Sequence, residues 1–234
     1  MRPLLLDLYC GQGGAAMGYY QAGFDVIGVD KVPQPRYPFD FCAGDALQIL
    51  RDLLTGKTSP VLGYSLAEID AIHASPPCQA HSTITPDKSK HVDLIPPTRD
   101  LLNYTGLPYL IENVEGAKRA LINPTRLCGS AFGLKVRRHR YFEANFPITT
   151  VGLACRHAAQ GTPIGVYGDH PELSANRRPS GTSRGVRAAT LKEAQDAMEM
   201  PWADWHGCTQ AVPPAYTEYI GRQLRSSLAL QEAS

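Results

Sequence analysis

Four short apolar runs, each leading to a residue with usable chemistry, constrain this chain more than anything else in it. "PLLLDLY" carries Asp7, "DVIGVD" ends in Asp30, "EIDAIHA" runs within a few residues into Cys78, and "PYLIENV" contains Glu112. Runs this short and this apolar read as strands buried on both faces. Between them lie segments of helical character: "CGQGGAAMGYYQAGF", "GDALQILRDLL" with Leu47, Leu50 and Leu54 on one face, and "TRDLLNYTG" stopped by Gly106. Strands alternating with helices predict an α/β domain built on a mostly parallel sheet. Such sheets gather their reactive residues outside the carboxyl ends of the strands, which is where all four residues fall.

From "RRHRYFEANFPI" onward the character changes. That segment reads as a strand with charged and aromatic residues alternating, and a Gly/Pro/Ser/Arg-rich stretch follows to Arg187. Then come a helix ("TLKEAQDAMEM"), an aromatic turn ("PWADWHG") and a closing helix ("PPAYTEYIGRQLRSSLAL"). This divides the chain into a core over 1–146, a short basic segment over 147–186 and C-terminal helices over 187–234 that return to the core. A length of 234 residues suffices for one substantial core. The formal net charge of +1 announces no polyanion by itself. No apolar run reaches the ~18 residues of a membrane span, and the apolar start is too short for a signal peptide. The 6 cysteines include no CxxC pair, so a disulfide framework is not expected and a reducing cytoplasm is.

Two features carry chemistry. Gly11, Gly13 and Gly14 stand between a strand and a helix, where glycine lets the chain turn sharply and a ligand approach the backbone. Asp30, ending the next strand, can accept both hydroxyls of a ribose. Without the GxGxxG spacing of a dinucleotide site, the pattern suits an adenosine ligand lacking phosphates, such as S-adenosylmethionine, with Asp45 facing the adenine amino group. The plainer reading is a simple turn with Asp30 as a cap. The second feature is "ASPPCQAHS". Pro76 and Pro77 restrict the chain ahead of Cys78 and remove two amide donors. A thiol attacks as thiolate, so its ordinary pKa of ~8.5 must be lowered or a base supplied. Glu112 and Asn113 end what reads as the neighbouring strand, where an acid can give a proton to a ring nitrogen. The plainer reading here is a buried structural cysteine, against which the polar Gln79, His81 and Ser82 argue.

"DLYCGQGGAAMGYYQAGF", "GVD", "GDA", "SPPCQ", "IENV", "RRHRYFE" and "TQAVPPAYTEYIG" occur in the order seen in the DNA (cytosine-5) methyltransferases. The chain resembles that family over about 3–146 and again over about 187–224, and resembles its short phage-encoded members in length. The resemblance implies a Rossmann-like S-adenosylmethionine-dependent methyltransferase fold. It implies that Cys78 attacks C6 of a flipped-out cytosine while Glu112 protonates or hydrogen-bonds N3, so that C5 takes the methyl group. Arg140 would hold the cytosine O2 and Arg138 would support that geometry. Tyr9 would lie against the adenine or sulfonium, Asp30 on the ribose and Asp45 on the adenine. Asp7, Lys31, Ala46, Ser75, Pro77, Gln210 and Ala211 would complete the cofactor pocket, and Pro76, Gln79 and Asn113 the base pocket.

The departures are specific. Val136 stands where the family's arginine motif opens with Gln, and Gln210 where it usually has Asn. The sizeable recognition domain of the family is reduced here to 147–186, a vestigial segment. Arg177, Arg178, Arg184 and Arg187 in and beside it can follow a phosphate backbone, which positions DNA without reading bases. Low or short sequence selectivity, or a partner supplying recognition, is the expectation; a solvated loop is the alternative. Other readings stay open: the same chemistry on RNA, since one branch of the family modifies transfer RNA, or a non-catalytic nucleic-acid-binding relic. Cys155, His157 and His170, with Cys128, fit no standard zinc spacing, and no metal is expected. Trp202 and Trp205 read as packing residues.

Overall fold

The computed structural model describes residues 1–56, 58–82, 85, 87–170 and 185–232. The first half alternates as the sequence predicts. Leu4–Leu8 (β1) is followed by Gly14–Ala22 (α1), Asp25–Asp30 (β2), Asp40–Ala43 (β3) and Ala46–Leu54 (α2). Ala71–Ala74 (β4), Ile95–Thr105 (α3) and Tyr109–Asn113 (β5) complete the parallel set. Thr125–Leu127 (β6) and Arg140–Ala144 (β7) form an antiparallel pair on the far edge. The sheet order is β3-β2-β1-β4-β5-β7-β6, parallel except for β7, which runs against both β5 and β6.

The order reverses between β1 and β4: the chain winds outward through β2 and β3, then crosses back to start β4 beside β1. That switch point leaves a crevice outside the carboxyl ends of β1 and β4, where no crossover covers the sheet. The loops filling it are the glycine turn after Leu8 and the Pro-Pro-Cys loop after Ala74.

Strands buried on both faces need two cores. Leu5, Tyr19, Phe24, Val26, Tyr216 and Ile220 fill the one under α1 and Pro214–Glu232, the last helix. Leu6, Leu8, Ile49, Leu50, Leu53, Ile95 and Leu102 fill the other under α2 and α3. The stretch after β7 contributes His157–Gln160 (α4) and the two-residue parallel pair Ile164–Gly165 (β8) and Val186–Arg187 (β9). Leu191–Met198 (α5), Trp205–Gln210 (α6) and the last helix, now α7, then pack back on the sheet. α1 and α7 pack closely against each other. A methyl group at Gly18 would stand 2.1 Å from the Pro214 carbonyl, and the Thr217 hydroxyl donates to the Ala15 carbonyl at 2.8 Å.

Four differences from expectation have local causes. β3 and β6 are too short and too polar to register as apolar runs. α3 begins at Ile95 rather than near Thr98, because prolines tolerate the first turn of a helix, where amides need no partner. The aromatic turn is in part helix: Asp204 caps α6 by accepting from the Gly207 amide at 2.8 Å. Among the described residues no helix is long and apolar enough to cross a membrane.

Candidate active site

The glycine turn is held by the second strand. Asp30 Oδ2 accepts from the Gly11 amide and Oδ1 from the Val32 amide, both at 3.0 Å. Each carboxylate oxygen keeps a free lone pair, so the half-buried group can still accept two hydroxyls. Gly11 has φ of 50°, and a methyl group there would meet nothing within 4 Å: the space in front of it is open. The other two glycines serve packing. A Cβ at Gly13 would lie 2.8 Å from Pro38, and one at Gly14 would lie 2.3 Å from the Val212 carbonyl and 2.9 Å from the Ala211 methyl. Gly14 is therefore where the C-terminal segment seats against the turn.

The remaining residues expected at a cofactor take varied places. Tyr9, itself at positive φ (58°), bonds Thr98 Oγ1 through its hydroxyl at 3.0 Å. Asp45 caps α2, accepting from the Gln48 amide at 3.0 Å, and is exposed, with Ala46 buried behind it. Lys31, Pro77 and Gln210 are exposed and Ala211 half-buried. Asp7 is fully buried within β1 and accepts from the Tyr37 hydroxyl at 3.4 Å; burial holds its carboxyl well above the usual range.

β4 and β5 lie side by side and parallel, with Ala74 opposite Ile111, which sets the Cys78 loop next to Glu112. The Asn113 side-chain amide donates to the Pro76 carbonyl at 2.9 Å, tying the loop to the strand. Past the thiol, the Cys78 carbonyl accepts from the His81 and Ser82 amides at 2.9 and 2.8 Å, closing a tight turn. Gln79 is exposed beside it. β7 contributes the cation: Arg140 Nε stands 2.9 Å from Glu112 Oε1, with 13% and 8% of the two side chains exposed. The contact is an ion pair, with Glu112 Oε1 making no hydrogen bond. Burial pushes the Glu112 carboxyl up, while Arg140 and a hydrogen bond from Ser75 oppose the push. Burial likewise pushes the Cys78 thiol up; Arg140 lowers it and Glu112 adds to the rise. The three groups share one electrostatic environment, in which burial makes the thiol harder to ionise than a free one.

Behind Glu112 runs a relay absent from the sequence reading. The Tyr19 hydroxyl lies 3.0 Å from His73 Nδ1, and His73 Nε2 lies 2.9 Å from Ser75 Oγ. His73 is completely buried, and burial lowers its pKa to about 3, so the ring is neutral. One assignment satisfies all the donors: Tyr19 donates to Nδ1, Nε2–H donates to Ser75, and the Ser75 hydroxyl is left for Glu112. The signal was present in "HAS", a histidine two residues ahead of the serine.

Arg138 does something other than Arg140. It is half-buried at φ of 34°, and its guanidinium bonds the Val166 carbonyl and Met198 sulfur at 3.2 and 3.4 Å, and the Thr209 carbonyl. Burial and the neighbouring Arg140 bring its pKa to about 9. Its part is to clamp the C-terminal segment to the start of β7, a positioning role. Trp202 and Trp205 are packing residues, donating to the Gln12 and Gly168 carbonyls at 2.7 Å. Arg187 lies over Trp205, 5.7 Å from the ring centroid; Arg177, Arg178 and Arg184 fall outside the described residues. Of the weighed set, Cys128, Cys155 and His157 do come together, but with His139 in the place of His170. His170 packs on Trp205, while Cys128, His139, Cys155 and His157 converge. An open hollow among Leu66, Asp70 and Leu107 lies near the amino ends of the strands, and Asp70 is already bonded to the Leu4 amide at 2.7 Å.

No protein-family model matches the chain. The Type II methyltransferase M.XorII of Xanthomonas oryzae pv. oryzae is 23% identical over 244 residues, covering 94% of this chain and 53% of that protein. The chain thus spans about half the length of that relative. Among solved structures, a protein described as a DNA modification methyltransferase encoded within an E. coli prophage superimposes with a TM-score of 0.61 at 15% identity, covering 97% of this chain and 99% of that one. The Dnmt2 methyltransferase of S. pombe gives a TM-score of 0.59 at 13% identity, with the same coverage. The α/β fold of these methyltransferases is the fold of this chain.

Proposed function

We propose that this chain methylates carbon 5 of cytosine in DNA, using S-adenosylmethionine and a covalent bond between Cys78 and C6. The observation that carries the reading is the meeting of Cys78, Glu112 and Arg140 beside the switch-point crevice, delivered by three different strands. S-adenosylmethionine, when bound, supplies an electrophilic methyl carbon beside the base. The residues of the crevice fit it: Gly11 opens space for a ligand, Asp30 retains acceptor capacity for a ribose, and Tyr9 and Asp45 flank the same end of the sheet.

Each residue has a defined task. The Cys78 thiol releases its proton to solvent and its sulfur bonds to C6, while Glu112, protonated from solvent when the base docks, gives or shares that proton at N3, which moves electron density onto C5. After methylation, a water takes the C5 proton, the thiolate leaves C6 and N3 returns its proton to Glu112, which restores the aromatic ring. Arg140, already paired with Glu112, hydrogen-bonds the cytosine O2 and holds the acid in position. The target must leave the helix, since a stacked base hides C6. Segment 147–186 is too short for a core of its own, so recognition is limited to a short site or is supplied by a partner. The similarity to methyltransferases associated with DNA modification supports DNA as the polymer.

Incubation with S-adenosylmethionine and 5-fluorocytosine oligonucleotides tests the reading. Fluorine blocks the final elimination, so wild type should form an adduct stable to denaturation and Cys78→Ala none. Parallel DNA and RNA arms decide the polymer, and failure of wild type on both removes the proposal.

A further inference from the structure

We propose that Cys128, His139, Cys155 and His157 form a tetrahedral zinc site, separate from the crevice. One ligand atom from each side chain lies within 4.8 Å of all the others. Cys128 Sγ is 3.2 Å from His157 Nε2, and Cys155 Sγ is 3.6 Å from His139 Nε2. Zinc–sulfur and zinc–nitrogen bonds of ~2.3 and ~2.0 Å put tetrahedral ligand atoms roughly 3.3–3.8 Å apart. A metal would draw the cluster in slightly.

Three further facts separate this cluster from a chance meeting of polar side chains. Both cysteines are free thiols although their sulfurs are neighbours. The ligands come from three separate places in the chain: the end of β6, the residue before β7 and the start of α4. Ser130 Oγ, 3.1 Å from Cys128 Sγ, accepts from the Arg156 amide at 3.0 Å, an outer contact that orients the sulfur and ties the two loops. Two thiolates and two neutral imidazoles also cancel the charge of a divalent zinc, which suits a site with Cys128 buried and the others half-buried.

The spacing hid it. Ten residues separate Cys128 from His139, fifteen separate His139 from Cys155, and one separates Cys155 from His157. His139 lies inside the arginine motif, where its neighbours take the attention. The site's consequence follows from that position. His139 is flanked by Arg138, held at φ of 34°, and by Arg140. A left-handed non-glycine residue persists only where its surroundings impose it. Zinc would pin His139 and so fix the backbone from which both arginines project, while anchoring the start of the basic segment.

The test uses the full chain purified without chelator. Elemental analysis should find about one zinc per chain. Cobalt exchanged into the site should show thiolate-to-metal charge transfer and the intense visible bands of tetrahedral coordination. His157→Ala and Cys155→Ser should each weaken zinc at least tenfold, with His170→Ala unchanged. If a variant does not fold, the cobalt spectrum of wild type decides. A folded wild type that binds no zinc from excess, an octahedral cobalt spectrum, or folded variants with undiminished affinity would each overturn the proposal.

Discussion

Replacing Arg140 with alanine should make the stability of this protein depend strongly on pH, through Glu112. At about 3 Å and an effective dielectric near 20, the gross attraction of the pair is about 6 kcal/mol. Deleting one member of such a buried pair typically costs about 3–5 kcal/mol, because the other charge is left unpaired. Glu112 has an escape, since burial already raises its carboxyl and Arg140 is the main influence lowering it. Without Arg140 the acid takes up a proton. A folded-state pKa raised above the unfolded value gives stability that is fully present below the ordinary carboxylate range. It is lost as pH rises through the raised value, at up to about 1.4 kcal/mol per pH unit. Urea unfolding should therefore find Arg140→Ala near wild type at pH 5, apart from lost packing, and several kcal/mol weaker by pH 8. Arg140→Ala combined with Glu112→Gln should remove that slope, because no acid remains to ionise. A double variant as pH-dependent as the single one would refute the coupling, and with it the claim that the acid and the arginine act as a unit.

Gly14→Ala should destabilise by about 1–3 kcal/mol, the usual cost of overpacking, because its methyl group would meet the Val212 carbonyl and the Ala211 methyl; an unchanged thermal midpoint would mean that the C-terminal segment is not seated there. Since burial holds the Cys78 thiol up, single-turnover adduct formation should accelerate with pH across the neutral to mildly alkaline range as thiolate accumulates. A rate flat over that range would mean the thiol is already ionised at rest.

The parallel half of the fold was legible because its strands are buried on both faces and therefore announce themselves as apolar runs. That Asp30, Cys78 and Glu112 fall at or just beyond strand ends was legible for the same reason, and in this architecture strand ends are where chemistry gathers. What stayed hidden depends on contacts between distant parts of the chain. β3 and β6 are short, and nothing local marks them. Gly14 looks like a ligand glycine until Val212 arrives from the far end of the sequence. His73 reads as one more residue of an apolar run, and only the fold shows Tyr19 on one of its nitrogens and Ser75 on the other. His139 shares no spacing with its partners in the cluster, so no pattern search along the chain would join them.

These hidden contacts have a common effect. The crevice lies beyond the carboxyl ends of β1 and β4, where their following connections diverge, so the sheet alone cannot hold the groups that face it. The first support comes from behind, where the Tyr19–His73–Ser75 relay fixes the hydroxyl that reaches Glu112. The second comes from the returning segment: Arg138 bonds the Thr209 carbonyl, Val212 closes on Gly14, and the Tyr216 hydroxyl donates to the Arg138 carbonyl at 2.7 Å. Arg138 and Arg140 thus belong to one rigid turn, with the first bound to the C-terminal segment and the second to the acid. A disturbance at α6 or α7 therefore reaches Glu112 through two residues of backbone. Truncating Arg138 would free the Thr209 and Val166 carbonyls and loosen the turn that carries Arg140, so its loss should impair the site even though its guanidinium bonds the returning segment and not Glu112.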